Sequence, residues 1–385
     1  MEITGYELYE VPPRWLFLKI ETSDDIVGWG EPVVEGRSKT VKTAVEELME
    51  TYLLGEDPRQ IEDHWQVMHR GGYYRGGPVL LSAIAGVDQA LWDIKGKALD
   101  VPVYELLGGQ VRDKIRIYQG VNDDDPQEIA REAQDLVDRG LTMLKTGVSP
   151  DGLRYLPTPA VVDELEERFQ TIRNAIGNDV DLAVDFHGRV SKGLVKRIAN
   201  RLEPYDPIFY EEPVLSEHND ALPALASSSD VPIATGERMY SRWDFKDVLI
   251  DQTVDIIQPD LSHAGGITEV KKIADMAAAF DVAIAPHCPL GPIAFAAAIQ
   301  VDATCLNFLV QEQSALGLPT GTDTDRLRYL SDPDVFGYED GFVEIPSGPG
   351  LGVQIDEQYL EERASESVDW HNPVWRLEDG SVTEW

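Results

Sequence analysis

The chain has 385 residues, 43% of them hydrophobic and 26% charged, which is typical of a globular protein and not of a disordered one. Its 69 acidic residues outnumber 33 basic ones, for a net charge of −36, which argues against nucleic acid and anionic membranes as partners because both bind basic surfaces. No run approaches the roughly 18 apolar residues of a membrane helix.

Two further features indicate the cellular compartment of the protein. Residues 1–10 lack the basic and apolar regions of a secretory signal, and Cys288 and Cys305 cannot form a disulfide framework, so we expect a cytoplasmic protein. The acidic excess fits either a generally acidic surface or a halophilic protein, in which salt screens the self-repulsion. We favour the halophilic interpretation.

The first third of the chain mixes strands and helices. Alternating apolar residues predict strands at 2–11, 16–22 and 26–32, and apolar residues three and four apart predict helices at 40–54, 59–70 and 77–98. Residues 71–78 lie between two of these helices and hold four glycines, two tyrosines and an arginine. This segment can be a connector or a mobile lid, and the pattern alone favours a connector.

From about residue 114 the pattern changes to strands that alternate with helices. Eight strands are predicted, at 115–121, 143–147, 182–186, 207–210, 232–235, 254–258, 282–285 and 307–310. Eight βα units in about 200 residues predict a closed parallel barrel. We therefore divide the chain into a first domain (1–113), a barrel (114–320) and a segment (321–385) whose tryptophans, Trp370, Trp375 and Trp385, indicate that it packs back on the first domain.

One ionisable residue follows each of six consecutive barrel strands. These residues are 23 to 27 positions apart, which is one βα unit, so the strand ends place them at the same mouth of the barrel. They are Asp185, Glu211, Glu237, Asp260, His287 and Glu312.

The first three of these residues predict a metal site. Three carboxylates at Asp185, Glu211 and Glu237 cannot all stay ionised in a small space without a cation. Ligands that are all oxygen favour Mg²⁺. Glu212 follows Glu211 directly, so its side chain should point the other way and have a structural role.

Two histidines flank the predicted metal site. His287 lies one unit from Asp260, and a carboxylate beside an imidazole orients it as a general base. His187 follows Asp185 by two residues and should share its face by strand alternation, where it can protonate a leaving group. Glu312 either donates a hydrogen bond when protonated or orients a neighbour. The other histidines are interpreted as packed or surface residues: His64, His69, His218, His263 and His371.

Several sequence motifs, taken together, resemble one known family over nearly the whole chain. They are residues 85–93 (Ala-Gly-Val-Asp-Gln-Ala-Leu-Trp-Asp), 185–189, 211–214, 236–239, 258–267, 285–292 and 311–314, with 12–15 and 377–385 near the two ends. The chain resembles the mandelate racemase-like branch of the enolase superfamily, and within it the galactonate-type sugar acid dehydratases.

The resemblance implies an α/β fold, a (β/α)7β modified TIM barrel under an α+β capping domain formed by the N-terminal third and the C-terminal tail. It implies Mg²⁺ on the three carboxylates, His287 with Asp260 as the base, and His187 as the acid. The implied reaction converts D-galactonate to 2-keto-3-deoxy-D-galactonate by removing the C2 proton and the 3-hydroxyl. The resemblance also implies an octameric homo-oligomer. We further expect substrate contacts from Arg14, Tyr74 and Arg75 in the capping domain and from Lys145.

One departure from the family pattern keeps alternatives open. Relatives with two bases carry Lys-x-Lys where this chain has Lys145-Thr146-Gly147, so a racemase or epimerase is disfavoured. Galactonate dehydratases carry Asn where Gly147 stands, which leaves D-gluconate or another aldonate such as xylonate as alternative substrates. A metal-dependent hydrolase would usually offer histidine ligands, and a binding protein would not need His287 paired with Asp260.

Overall fold

The computed structural model describes residues 1–123, 125–148, 159–316, 326–366, 368 and 370–384. The chain opens with an antiparallel sheet in which β2 (Trp15–Thr22) lies between β1 (Ile3–Val11) and β3 (Val27–Gly30). Because β2 is the central strand, nearly all of its side chains are buried. Four helices follow, α1 (Ser38–Leu48), α2 (Ile61–Arg70), α3 (Pro78–Leu99) and α4 (Val103–Leu106), and a π-helical turn (Met49–Leu53) extends α1.

Eight parallel strands then form the barrel. They are β4 (Lys114–Val121), β5 (Met143–Gly147), β6 (Asp181–Asp185), β7 (Tyr210–Glu211), β8 (Ile233–Thr235), β9 (Ile256–Ile257), β10 (Ala283–Ile284) and β11 (Gln311–Glu312). β11 pairs with β4, and the main-chain N–H groups of Ile284 and Leu309 close the remaining gap at 2.8 and 2.9 Å. Each strand or its immediate flank contributes one buried side chain to an interior layer: Tyr118, Met143, Ala183, Phe209, Ala234, Ile256, Ala285 and Val310.

Helices connect these strands on the outside of the barrel. They are α5 (Pro126–Asp138), α6 (Pro159–Ile176), α7 (Lys192–Leu202), α8 (Leu222–Ala226), α9 (Arg242–Ile250), α10 (Gly266–Ala278) and α11 (Pro292–Asp302). The short α8 and the 3₁₀ turn before it (Ser216–Ala221) carry no clear helical pattern in the sequence. The predicted last strand, 307–310, supplies the closing contact, while β11 itself lies just after it. The predicted (β/α)7β fold class is confirmed.

The C-terminal segment contacts both the barrel and the N-terminal sheet. β12 (Phe342–Glu344) pairs antiparallel with β4, and α12 (Glu357–Ala364) joins β2 through an ion pair of 2.8 Å between Lys19 and Glu357. Tyr329 packs edge-on against Trp15. The predicted boundary at 320/321 and Trp385 lie outside the described residues, so the division into three parts stays a prediction. No described helix has the length and apolarity needed to cross a bilayer.

The motif at 85–93 lies on α3 and joins the two parts of the molecule. Asp88 accepts a hydrogen bond from the main-chain N–H of Thr268 at 2.9 Å, and Asp93 accepts one from Trp29 at 3.0 Å. Burial raises the pKa of Asp88 to about 7. Gly86 is required because a Cβ there would lie 2.3 Å from Pro32. The motif therefore fixes the capping domain against the barrel.

Candidate active site

Three acidic side chains converge at the carboxyl ends of β6, β7 and β8. Asp185 and Glu211 are paired in register on neighbouring strands, and Glu237 follows β8 by two residues. One carboxylate oxygen from each residue lies within 4.8 Å of the others. Asp185 and Glu211 are buried and Glu237 is partly exposed, so the cluster opens toward solvent on one side. The structure thus brings together the three predicted metal ligands.

Lys145 on β5 lies at the floor of this cluster. Its Nζ is 2.5 Å from Glu211 Oε1, 3.0 Å from Glu312 Oε1 and 3.4 Å from Asp185 Oδ2. Burial lowers the pKa of Lys145, but attraction to Glu211 and Glu312 outweighs burial and raises it well above its ordinary value. Lys145 therefore stays protonated and cannot act as a base at neutral pH.

The donor set fits a divalent metal. Burial raises the pKa of Glu211, and the negative charge of Asp185 raises it further, while Lys145 opposes the rise only in part. The raised pKa of Glu211 indicates that Lys145 does not fully balance the buried negative charge around it. A hard divalent cation, which prefers oxygen ligands, would supply the missing charge.

His287 follows β10 and is held by Asp260, which follows β9. Its Nδ1 lies 2.8 Å from Asp260 Oδ2, and its Nε2 lies 3.4 Å from Glu237 Oε2. Burial lowers the pKa of His287, but Glu237, Glu312 and Asp260 outweigh burial and raise it well above its usual range. Asp260 Oδ1 also accepts the main-chain N–H of Ser262 at 2.6 Å. The predicted pair of His287 and Asp260 is therefore present.

His187 reaches the site by a route that strand alternation did not predict. β6 ends at Asp185, and His187 has a left-handed backbone with φ of +47°. This turn brings its Nε2 to 3.0 Å from Asp185 Oδ2 and its main-chain N–H to 2.8 Å from Oδ1. Burial opposes ionisation of Asp185, but His187 and Lys145 outweigh it and lower the pKa of Asp185.

A cavity of about 390 Å³ lies above the carboxylates, within the usual size range for small-molecule sites. Both histidines and Glu237 line it, together with Arg14 from the capping domain. Arg14 Nη2 lies 3.5 Å from Glu35 Oε1, and its guanidinium stacks 4.7 Å from the centre of the Trp370 ring. The C-terminal segment thus helps to hold Arg14 in the cavity wall.

Two predicted substrate contacts lie elsewhere. Tyr74 is 86% exposed on the loop after α2 and is not among the residues that line this cavity. Arg75 lines a neighbouring cavity with His69 and Trp243. The structure therefore does not bring Tyr74 or Arg75 to His187 and His287.

Two residues of the site, Arg238 and His263, were not predicted from the sequence. Arg238 Nε lies 2.9 Å from Glu212 Oε2 and 3.7 Å from Glu237 Oε1, and its Nη2 donates to the main-chain carbonyl of His187. The feature of the sequence that could have identified Arg238 is its position directly after Glu237. Glu212 faces this arginine rather than the metal cluster, and burial raises its pKa to about 7. The second missed residue, His263, lines the cavity although it was interpreted as a packed histidine.

Comparisons with known proteins agree with this geometry. Residues 128–359 match the family model for the enolase C-terminal domain-like fold, and residues 13–108 match that for the mandelate racemase / muconate lactonizing enzyme N-terminal domain. The chain belongs to the enolase superfamily. The family predicted from the motifs is therefore confirmed.

Relatives of known name and structure match the whole chain. A D-galactonate dehydratase from Ralstonia pickettii (strain 12J) is 53% identical and one from Pectobacterium atrosepticum is 52% identical, each over 100% of both chains. The crystal structure of an enolase from Agrobacterium radiobacter, with bound Na and L-malate, is 31% identical with a TM-score of 0.91 over 100% of both chains. A mandelate racemase/muconate lactonizing enzyme from Jannaschia sp. CCS1 is 30% identical with a TM-score of 0.88, over 96% of this chain and 100% of that one.

Proposed function

We propose that the protein is a Mg²⁺-dependent sugar acid dehydratase, a hydro-lyase whose substrate is D-galactonate. The observation that carries the proposal is the placement of His187 and of the His287–Asp260 pair around one three-carboxylate cluster. Full-length identity of 53% to a D-galactonate dehydratase supports this substrate.

Asp185, Glu211 and Glu237 would hold the metal, which supplies positive charge that stabilises the charge developing on the substrate carboxylate. His287 acts as the base. With a cation held by Glu237, the charge that does most to raise the pKa of His287 would be offset, so the imidazole can be neutral. Asp260 Oδ2 then accepts the Nδ1–H of His287, which leaves the lone pair of Nε2 facing the cavity to take the C2 proton. The negative charge of Asp260 then stabilises the imidazolium that forms.

His187 acts as the acid from the other side of the cluster. Its side chain is 35% exposed and lies in the cavity wall, where it gives a proton to the departing 3-hydroxyl, which leaves as water. Glu312 has an orienting role. Burial raises the pKa of Glu312, but Lys145 and His287 outweigh burial and lower it, so the group is ionised and accepts from Lys145 at 3.0 Å. The N–H groups of Lys145 face Glu211, Glu312 and Asp185, so its role here is to balance their charge, and a contact from Lys145 to the substrate stays a prediction.

D-Gluconate is the second candidate substrate because of Gly147. A Cβ built there would lie 3.4 Å from Asn122 Oδ1 and 3.9 Å from His187 Cε1, so a larger residue at 147 would reach toward the acid. Gly147 leaves this space open. The same residue supplies no second base, so a racemase or epimerase is disfavoured.

The test is an assay of the purified protein with Mg²⁺ on D-galactonate, D-gluconate and D-xylonate, with detection of the 2-keto-3-deoxy product. We expect turnover of galactonate, loss of turnover after EDTA, and loss of both activity and Mg²⁺ binding in Glu237→Gln. The exposed Asp247→Asn is the matched control. Full turnover after exhaustive EDTA treatment contradicts the metal role. A preference for gluconate of more than tenfold contradicts the substrate and leaves the mechanism intact.

We further propose that the net charge of −36 is an adaptation to a salt-rich cytoplasm and that the protein is a homo-oligomer. Sedimentation in molar KCl tests the oligomer, because a single species with the mass of one chain contradicts it.

A further inference from the structure

His263 occupies a position in the cavity that the proposed reaction does not use. It follows Asp260 by three residues, on the loop between β9 and α10. Its side chain is 11% exposed and lines the same cavity as His187 and His287. A histidine this close to the reacting groups can affect either the base or the substrate.

The two ring nitrogens of His263 have different surroundings. Nδ1 lies 3.0 Å from the hydroxyl of Ser82 on α3, which is a hydrogen bond. Nε2 lies 3.8 Å from Glu35 Oε2 and 4.0 Å from Asp260 Oδ2, and both distances are too long for a hydrogen bond. Within the described ranges, Nε2 therefore forms no hydrogen bond.

The loop that carries His263 is held by several hydrogen bonds. Gln89 on α3 donates to the carbonyl of Leu261 and to the hydroxyl of Ser262, both at 3.1 Å. The N–H of Ser262 binds Asp260 at 2.6 Å. A polar group fixed by supporting hydrogen bonds loses little entropy on binding a ligand, which is what a recognition residue requires.

The neighbouring charges favour the tautomer of His263 in which Nε2 is a hydrogen-bond donor. When Ser82 donates to Nδ1, the ring proton lies on Nε2, and the carboxylates of Glu35 and Asp260 favour a proton at this place. Glu35 also pairs with Arg14 at 3.5 Å, so Arg14, Glu35 and His263 form a polar wall on the capping side of the cavity. Such a wall suits the hydroxyls of a sugar chain better than an apolar tail.

We propose that His263 is a specificity-determining residue whose Nε2 binds the 4-hydroxyl of the aldonate. This inference rests on the proposed function. D-Galactonate and D-gluconate have the same configuration at C2 and C3 and differ at C4, so neither the base His287 nor the acid His187 can distinguish them. His263 and His287 both approach Oδ2 of Asp260, so His263 lies beside the base. When C2 lies at His287, C4 and the rest of the sugar chain extend along the cavity wall that includes His263.

The test compares two substitutions at this position. His263→Asn keeps a polar atom near Ser82 but removes the atom at Nε2, whereas His263→Gln returns an amide nitrogen close to Nε2. We expect His263→Asn to reduce the ratio of kcat/KM for the two C4 epimers by roughly tenfold or more, because a lost hydroxyl contact removes discrimination. We expect His263→Gln to retain most of that ratio.

The controls separate recognition from positioning and from misfolding. His69→Asn alters another buried histidine, stacked 4.8 Å from Trp65 beside the neighbouring cavity, and should leave the ratio unchanged. If His263→Asn does not fold, Ser82→Ala removes the hydroxyl that orients the ring and should reduce the ratio by a smaller factor. Exchange of the C2 hydrogen in ²H₂O reports whether His287 still works as a base.

Each outcome decides the inference. Equal losses on both epimers with an unchanged ratio, in His263→Asn and in Ser82→Ala, would mean that His263 acts only through Asp260 or the fold, and would overturn it. A wild-type protein without activity on any aldonate refutes the proposed function and, with it, this inference. An active wild type whose variants keep the epimer ratio refutes the inference alone.

Discussion

Replacing Asp260 with Asn should remove the base by reversing the tautomer of His287. Oδ1 of Asp260 accepts the N–H of Ser262 at 2.6 Å, and Oδ2 accepts Nδ1 of His287 at 2.8 Å. In the isosteric amide, the oxygen must stay on the Ser262 N–H, so the NH₂ group faces the imidazole. His287 then presents a lone pair at Nδ1 and carries its proton on Nε2, which can no longer accept the C2 proton.

The size of the effect follows from these contacts. Turning the amide over would leave the buried N–H of Ser262 unpaired, at a cost of about 1–3 kcal/mol. In addition, the neutral amide stabilises the imidazolium less than the carboxylate does, and this difference lowers the rate by about tenfold. Reversal of the tautomer in a serine protease triad lowers kcat by about 10⁴. We expect a loss in kcat of roughly 10²- to 10⁴-fold.

The assay is kcat on the preferred aldonate at saturating Mg²⁺, with the melting temperature measured in parallel. Asp260→Asn should fold, since its Ser262 contact survives, and the exposed Asp247→Asn should keep full activity. A folded Asp260→Asn enzyme that retains more than a tenth of wild-type kcat would refute the tautomer argument.

Three further predictions follow from the same structure. His187→Asn should still exchange the C2 hydrogen in ²H₂O without losing water; exchange lost there but kept in His287→Asn would reverse the acid and base. Burial raises the pKa of Glu31 from 4.5 to about 8, so the folded protein holds a proton in that window that the unfolded chain releases, and stability falls as pH rises through it. Glu31→Gln has no titrating group at this position, so its free energy of unfolding should rise relative to wild type by up to about 1.4 kcal/mol per pH unit between pH 4.5 and pH 8. Thermal melts from pH 5 to pH 9 check this prediction. A difference between the two proteins that does not change with pH would contradict the burial of an ionisable Glu31. With a net charge of −36, the melting temperature should rise steeply from low to molar KCl, and a flat response would leave only a generally acidic surface.

The spacing of the ionisable residues predicted correctly which of them meet at the barrel mouth, and the reason is physical. In a parallel barrel every βα unit returns the chain to the same end, so residues one unit apart, such as Asp185 and Glu211, must become neighbours. The interior strands were also readable because they are short apolar runs between helices. These regularities belong to the backbone path, and they do not depend on side-chain detail.

Side-chain directions at the strand ends could not be predicted in the same way. Alternation holds only while the chain remains a strand, and His187 lies in a left-handed turn two residues beyond the end of β6. The Gly-rich loop after α2 likewise leaves Tyr74 exposed, because glycines permit many paths and the sequence does not select one. His263 was missed because its partner Ser82 lies 181 positions away in the chain.

Through helix α3, the capping domain positions catalytic residues in addition to covering the active site. Gln89 holds the loop that begins at Asp260, and Ser82 orients His263 at the end of the same loop. The aspartate that fixes the base and the histidine proposed to recognise the substrate are therefore positioned by one helix from outside the barrel. A change on the buried face of α3 should consequently alter rate and specificity together, although no residue of that helix lines the cavity beyond Pro78 at its start.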